Sequence, residues 1–156
     1  SAEFAARLPG RTIRVTSVAD KRAAFGAADA ALSISGTTTL ELAVAGLPTV
    51  VGHRVNALSA FLARRLIKVP FVAMPNVIAG RAVVPELLQE DCTPAKLAGE
   101  LAKLLDDPQA AARMRADLAS VCDALGRREI AQGPGHLPSD RAAARILEQV
   151  SRRRAP

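Results

Sequence analysis

The chain contains 156 residues with a formal net charge of +6; 49% of the residues are hydrophobic, and Trp and Tyr are absent. This length suffices for one domain with a buried core, while the missing Trp and Tyr side chains argue against an aromatic platform for single-stranded nucleic acid. No apolar run approaches the length of a membrane span, and no signal peptide is recognisable. The positive net charge fits an anionic lipid surface, a phosphorylated ligand, nucleic acid or general solubility.

The first third of the chain predicts alternating strands and helices. Alternating β-branched residues predict a strand at 11–18, and a helix over 20–28 follows with Asp20 as its cap. The unbroken apolar stretch at 30–34 predicts a second, fully buried strand. A helix is then predicted after Ser35-Gly36 and as far as Ala45, where Gly46 stops it, and a third strand at 48–52.

Helices dominate the remaining pattern. Helices are predicted at 56–69, 85–89, 94–106, 108–125 and 139–153, a fourth strand at 71–74, and loops at 75–81 and 127–138. Strands that alternate with helices indicate an α/β fold, a Rossmann-like parallel sheet with helices on both faces. Four strands are few for a complete doubly wound enzyme, so we expect one part of a larger protein. Its expected units are a nucleotide-binding domain at 1–126, the loop at 127–138, and a C-terminal helix with a basic tail at 139–156.

The cysteines and histidines predict neither a disulfide nor a metal site. Cys92 and Cys122 are thirty positions apart and form no CxxC motif, which is typical of two free thiols in a reducing compartment. His53 and His136 lack the spacing of metal ligands. The chain begins with Ser1 rather than Met, and we expect a processed product, an expression product or a fragment.

A hydroxyl-rich turn, Ser35-Gly36-Thr37-Thr38, joins the predicted buried strand to a helix start. The first N–H groups of a helix have no partner within it, and the helix dipole favours negative charge there. Gly36 allows close backbone approach. The turn therefore predicts an anion site, in an α/β protein most simply for a nucleotide diphosphate. Ordinary helix capping by the Ser and Thr hydroxyls is the alternative.

Glu41 has two interpretations. Thr38-x-x-Glu41 matches a capping box, in which the carboxylate bonds only a backbone N–H. Alternatively, a carboxylate one turn into the helix reaches past the phosphates to the hydroxyl donors of a ribose. The residues alone leave both interpretations open.

Four blocks of the sequence together resemble the C-terminal half of the lipid-A-disaccharide synthase family, which has the two-domain GT-B glycosyltransferase architecture. The blocks are 35–41, 46–54, 74–81 and 84–90, and the resemblance extends over about residues 12–125. The most specific feature is Pro-Asn-x-x-Ala-Gly-Arg followed closely by Pro-Glu-Leu-Leu-Gln.

The resemblance implies an enzyme that transfers 2,3-diacylglucosamine from UDP-2,3-diacylglucosamine to 2,3-diacylglucosamine 1-phosphate (lipid X). The products are the lipid A disaccharide 1-phosphate and UDP, and no metal or cofactor is needed. In GT-B enzymes the C-terminal domain chiefly holds the nucleotide, whereas the N-terminal domain holds the acceptor and the catalytic base. We therefore expect residues 1–126 to bind the donor, the acceptor domain to be absent, and this chain to contain no catalytic residue and to be inactive alone.

The resemblance also implies which residues contact the UDP-sugar, and a Glu at the place of Glu41 commonly binds ribose in this architecture. The implied residues are Ser35, Gly36, Thr37, Thr38, Glu41, Arg54, Asn76 and Arg81. Asn76 and Arg81 flank the predicted loop after the fourth strand, where an amide and a guanidinium suit a sugar and a phosphate; a simple turn at Pro75-Asn76 is the alternative. His53 stands where the family often has an aromatic residue, and a half-buried structural role is favoured over catalysis.

Three cations on the predicted helix at 56–69, Arg64, Arg65 and Lys68, are candidates for contact with an anionic membrane surface, since the implied substrates are acylated. Packing of the apolar face on the sheet is the alternative. We accordingly expect a cytoplasmic protein of a Gram-negative bacterium, peripheral on the inner face of the cytoplasmic membrane. The helix at 139–153 is expected to pack on the missing domain or to mediate a homo-oligomer.

Two other function classes stay open. Another UDP-sugar GT-B enzyme, such as a lipid II-type transferase or a UDP-GlcNAc epimerase, would share the turn and the Glu but is not expected to carry the 75–81 block. A non-catalytic nucleotide-binding module is the second alternative. Nucleic acid is not an expected partner, because only the sequence pI of about 10.3 suggests it.

Overall fold

A computed structural model describes residue 10 and residues 12–55, 70–126 and 138–154. Three short parallel strands form one sheet in the order β1 (Ala31–Ser33), β2 (Thr49–His53) and β3 (Glu86–Leu88). In the register, Ala31 lies opposite Thr49, and Val51 lies opposite Glu86. Because all three strands run in one direction, their carboxyl ends meet at a single edge of the sheet.

Helices account for most of the remaining described residues. They are α1 (Val18–Ala27), α2 (Thr38–Val44), α3 (Met74–Ala79), α4 (Pro94–Asp106), α5 (Pro108–Ala124) and α6 (Pro138–Arg154), with a short 3₁₀ helix at Gln89–Asp91. A parallel sheet with helices confirms the predicted α/β, Rossmann-like class.

Both faces of the central strand are covered. Neighbouring residues of a strand point to opposite faces, and both Val50 and Val51 are 0% exposed. On the face of Gly52, a Cβ atom would lie only 3.0 Å from a side-chain carbon of Leu97 in α4. Glycine at this position therefore lets α4 approach the sheet closely, and the expected two-sided covering is confirmed.

The predicted boundaries of the later helices are confirmed by their caps. Thr93 Oγ1 accepts a hydrogen bond from the backbone N–H of Lys96 at 3.3 Å, and Pro94 occupies the first turn of α4. Asp107 Oδ1 caps α5 by accepting from the N–H of Gln109 at 2.9 Å. Gly126, with φ of 91°, follows the end of α5. The last helix also starts and ends within about one residue of its prediction.

The predicted strand at 11–18 is wrong. Residues 12–16 are exposed and belong to no strand, while Val18 already starts α1. The cap of α1 is Ser17, whose Oγ accepts from the N–H of Asp20 at 3.0 Å, so Asp20 lies in the first turn instead of capping it. β-branched alternation favours a strand only where a neighbouring strand completes the ladder, and within the described residues none lies beside 12–16.

The second strand is correctly located but is not fully buried. Leu32 is 53% exposed and Ile34, just beyond the strand, is 72% exposed. Within the described part of the sheet β1 pairs only with β2, so its other edge is open. An apolar run identifies the strand, but the number of its neighbours decides its burial.

Three predictions between residues 71 and 91 are wrong. Residues 71–73 form no strand, and α3 occupies Met74 and most of the loop predicted at 75–81; it has Pro75 in its first turn and Gly80, with φ of 65°, as its C-cap. The predicted helix at 85–89 is largely β3. The carboxylate of Glu86 accepts from the backbone N–H of Val72 at 2.9 Å and of Ala73 at 2.8 Å. A side chain thus satisfies donors that a sheet neighbour would otherwise take.

The helix predicted at 56–69 and residues 127–137 of the loop predicted at 127–138 lie outside the described residues, and Pro138, the last residue of that loop prediction, starts α6.

Candidate functional site

Several predicted site residues gather at the carboxyl edge of the sheet. The turn at 35–38 follows the end of β1, Arg54 follows β2, and Gln89 follows β3. Ligands of open parallel sheets bind beyond the carboxyl ends of the strands. The structure therefore brings the turn and Arg54 to the edge where a ligand of this fold class binds.

The shape of the turn depends on Gly36 and on Thr39. Gly36 has φ of 135°, a conformation that side chains disfavour; among the described residues, no atom beyond its two chain neighbours lies within 4 Å of the place where its Cβ would stand. Below it, the hydroxyl of Thr39 donates to the carbonyl of Gly36 at 2.6 Å, and Thr39 is only 2% exposed. Thr39 was not predicted from the sequence; it fixes the turn, while Thr37 and Thr38 face solvent.

The start of α2 lacks a side-chain cap. Thr37 is the N-cap residue, yet no side-chain hydrogen bond caps the helix there. The capping interpretation of the hydroxyls is therefore wrong at Thr37. The N–H groups of Thr39 and Leu40 already donate to the carbonyls of Gly36 and Thr37, at 3.1 and 3.0 Å. The donors that the turn offers to an anion are therefore the earlier N–H groups, those of Thr37 and Thr38.

Glu41 is paired with a cation from the preceding helix. Its Oε2 lies 2.6 Å from Nζ of Lys21 in α1, and 46% of the Glu41 side chain is exposed. The capping-box interpretation is wrong, since the carboxylate bonds Lys21 rather than the helix start. The Lys21 ammonium, also 6.0 Å from the centre of the Phe25 ring, balances the negative charge of Glu41 beside the turn. Sequence reasoning missed Lys21 and Phe25, because their proximity arises from the packing of α1 on α2.

Asn76 does not lie with this group. The Asn76 side chain is 0% exposed. Its Oδ1 accepts from the backbone N–H groups of Val83 at 2.6 Å and Val84 at 2.9 Å. Its Nδ2 donates to the carbonyl of Val84 at 2.9 Å and to Oε1 of Glu86 at 2.7 Å. These bonds occupy both donors and both acceptor positions of the amide. Val83 and Val84 precede β3, so the contacts lie toward the amino ends of the strands. A ligand role for Asn76 stays a prediction that would require these bonds to break.

Arg81 also lies toward the amino ends of the strands. Its guanidinium binds Asp117 in α5 with two hydrogen bonds, the shorter at 2.6 Å. On the same helix, the sulfur of Met114 accepts from the N–H of Thr49, the first residue of β2, at 3.3 Å. The hydrogen bond to Asp117 raises the pKa of Arg81, and the same bond lowers the pKa of Asp117. The structure thus separates Asn76 and Arg81 from the turn at 35–38.

Three further residues lie at the carboxyl edge of the sheet: His53, Arg54 and Gln89. Arg54 is exposed and His53 is half-buried at the end of β2. Gln89 has φ of 50°, uncommon for a residue other than glycine, and its Oε1 accepts weakly from the N–H of Val55 at 3.4 Å. In the sequence, the feature that could have identified Gln89 as a site residue is its position at the end of the Pro-Glu-Leu-Leu-Gln block.

The remaining predictions concern membrane and metal. Arg64, Arg65 and Lys68 lie outside the described residues. Of the helices in the described part, none is long and apolar enough to span a bilayer. The residues that the structure describes contain no group of three or more His, Cys, Asp or Glu side chains arranged to hold a metal ion.

An apolar groove lies beside the turn, between α1 and α2, with a volume of about 570 Å³. We call it the α1–α2 groove, and its lining includes Val18, Lys21, Phe25, Leu40, Glu41 and Val44. Glu41 therefore faces the groove and is only one turn away from the start of α2. Volumes of this size are typical of small-molecule sites.

Comparison with known proteins gives one consistent result. The family model described as lipid-A-disaccharide synthetase matches residues 10–135. A lipid-A-disaccharide synthase of Gluconobacter oxydans is 53% identical over 88% of this chain and 32% of its own length. Enzymes of the same name from Granulibacter bethesdensis and Rhodospirillum centenum are 48% and 39% identical over 90% and 97% of this chain. The chain spans about a third of the length of these relatives, 32% to 37%.

Proposed function

The chain belongs to the lipid-A-disaccharide synthetase family, and we propose that it is the donor-binding part of a glycosyltransferase of lipid A biosynthesis. The complete enzyme transfers 2,3-diacylglucosamine from UDP-2,3-diacylglucosamine to 2,3-diacylglucosamine 1-phosphate. The products are the β-1,6-linked lipid A disaccharide 1-phosphate and UDP. Family membership supports the reaction, and the position of the turn at 35–38 supports the assignment of this chain to the donor.

The open turn at the carboxyl edge is the observation that carries the proposal. Its backbone N–H groups, next to Gly36, bind the diphosphate of the donor. Arg54, which leaves the neighbouring strand at the same edge, adds a positive charge. Glu41 accepts hydrogen bonds from the ribose hydroxyls, and Lys21 offsets its negative charge, so a carboxylate beside a diphosphate is tolerated electrostatically.

The reaction is an inverting displacement at the anomeric carbon of the donor sugar. The acceptor 6-hydroxyl loses its proton to a base, its oxygen bonds to the anomeric carbon, and the bond from that carbon to the UDP oxygen breaks. The base belongs to the part of the enzyme outside this chain. The N–H groups of the turn and Arg54 stabilise the negative charge that develops on UDP, because fixed donors aimed at a developing charge need no reorganisation.

The finer cellular assignments are part of the same proposal. The enzyme works at the inner face of the cytoplasmic membrane, where its acylated substrates reside, and Arg64, Arg65 and Lys68 approach the anionic surface. In α6, Ile146 and Leu147 are 63% and 66% exposed, which supports association of this helix with another subunit or with the rest of the enzyme.

Calorimetric titration of the 156-residue chain with UDP tests the donor site by comparing two arginines. Arg54→Ala removes a charged hydrogen-bond donor worth about 1.5–3 kcal/mol, so the affinity should fall about tenfold to a hundredfold. Arg81→Ala is the matched control, because Arg81 is engaged with Asp117 toward the opposite end of the strands; its affinity should equal that of the wild type.

Glu41→Ala is expected to weaken UDP binding but not inorganic pyrophosphate binding, because its proposed contact is to the ribose. UDP affinity that is unchanged in both Arg54→Ala and Glu41→Ala would exclude the proposed site. A loss in Arg81→Ala equal to that in Arg54→Ala would place the diphosphate elsewhere.

A further inference from the structure

The α1–α2 groove is an apolar surface next to the proposed UDP site, and the proposed donor carries apolar acyl chains. We propose that this groove binds an acyl chain of the sugar donor, which rests on the proposed function of the chain. Glu41 and Lys21 belong to both sites. The variants chosen for the groove, at Phe25 and Val44, alter neither of them, so each part of the proposal is tested separately.

The lining of the groove has the composition of an acyl-chain site. Phe25 from α1 and Leu40 from α2 provide apolar surface, and Val18 and Val44 add to it although 65% and 58% of these side chains remain exposed. Filling an apolar groove that is open to water with an apolar ligand lowers the free energy, because both apolar surfaces leave water.

The groove starts close to the proposed diphosphate site. Leu40 and Glu41 lie in the first turn of α2, directly after the hydroxyl-rich turn, and Val44 and Ala45 lie at the other end of the same short helix. A rise of 1.5 Å per residue puts Val44 roughly 10 Å along the helix from Thr37. Glu41, the proposed ribose contact, also lines the groove. A donor whose sugar folds back alongside the diphosphate therefore reaches the groove with an acyl chain.

The charges at the groove favour an anionic amphiphile. Lys21 and Arg22 line it together with a single carboxylate, that of Glu41, which is already paired with Lys21. The long aliphatic stems of the two cations extend the apolar surface while their charged ends stay in water. This excess of positive charge complements a diphosphate or phosphate head group. The volume of about 570 Å³ suits a small amphiphile better than a helix of another protein.

A tryptophan reporter measures occupation of the groove directly, because the natural chain contains no Trp and no Tyr. Phe25→Trp places the only indole in the groove, and Phe71→Trp, outside the groove lining, is the matched control. UDP-2-acylglucosamines of increasing chain length are titrated into both variants. In Phe25→Trp the emission should shift to the blue, with about a fourfold gain in affinity per added methylene until the groove is full. UDP alone should bind without the shift, and Phe71→Trp should not report the chain.

The second experiment introduces a negative charge into the groove. Val44→Asp should remove the dependence of affinity on chain length and leave UDP affinity unchanged. Val77→Asp makes the same change at a residue of α3 that is 46% exposed and not part of the groove, and it should behave as wild type. Circular dichroism melting of both variants establishes that they are folded.

The outcomes separate the groove from the UDP site. Affinity that is independent of chain length, or equal chain-length dependence in Val44→Asp and Val77→Asp, would overturn the groove proposal while UDP binding leaves the proposed function intact. Chain-dependent binding that is lost in Val44→Asp, with no binding of UDP, would support the groove and refute the donor site. A free fatty acid that shifts the indole emission of the Phe25→Trp variant as strongly as the acylated donor does would refute the assignment to the donor.

Discussion

Replacing Asn76 by Ala distinguishes its two possible roles: the ligand contact predicted from the sequence, and the hydrogen bonding within the fold that the structure shows. In the wild type the Asn76 amide bonds two backbone N–H groups, those of Val83 and Val84, whose residues are only 7% and 2% exposed. The variant leaves both donors buried without an acceptor, and it also removes the contact to the carboxylate of Glu86.

The expected loss of stability follows from these orphaned groups. An unsatisfied buried polar group costs about 1–3 kcal/mol, so two of them cost roughly 2–6 kcal/mol. A domain of this size is stable by only about 5–15 kcal/mol. With about 2–4 °C per kcal/mol for chains of 150–250 residues, the melting temperature should fall by about 5 °C or more.

Urea unfolding followed by circular dichroism measures this loss, and calorimetry with UDP below the melting transition measures the ligand site. Val77→Ala, at the adjacent but 46% exposed position, is the control and should change stability by less than about 1 kcal/mol. We expect Asn76→Ala to be strongly destabilised and to bind UDP with wild-type affinity while folded. A variant of wild-type stability that has lost UDP binding would refute the reasoning and restore Asn76 to the donor site.

Two further predictions concern packing and pH. Gly52→Ala should destabilise the fold by about 1–3 kcal/mol in urea unfolding, because its Cβ would lie 3.0 Å from Leu97 and 3.2 Å from the sulfur of Cys92; an unchanged midpoint would mean that α4 moves away at no cost. The Arg81 hydrogen bond lowers the folded-state pKa of Asp117, so this pair contributes stability above the unfolded carboxyl pKa of about 4 and loses it as the pH falls through the lower folded value. Wild type should therefore be more stable than Asp117→Asn at pH 7 and lose that advantage in acid, whereas a difference that is constant with pH would contradict the pairing.

The sequence by itself determined the fold class, the later helices and the family. Thr93-Pro94, Asp107-Pro108 and Gly126 mark helix ends through local hydrogen bonds and backbone preferences, which do not depend on distant residues. The turn at 35–38 was likewise predicted where the structure has it, because the glycine and the following helix start are encoded within a few residues.

Only the tertiary structure decided what depends on neighbours far along the chain. The exposure of Leu32 follows from the number of strands beside β1, and the helix at Met74–Ala79 is held by Glu86, a residue of the next strand. Asn76 shares a conspicuous motif with the other predicted ligands, yet its amide is bonded within the fold. Local patterns specify helix ends and turns that are encoded within a few residues. The formation of a strand and the pairing of side chains across elements are long-range properties that no window of sequence contains.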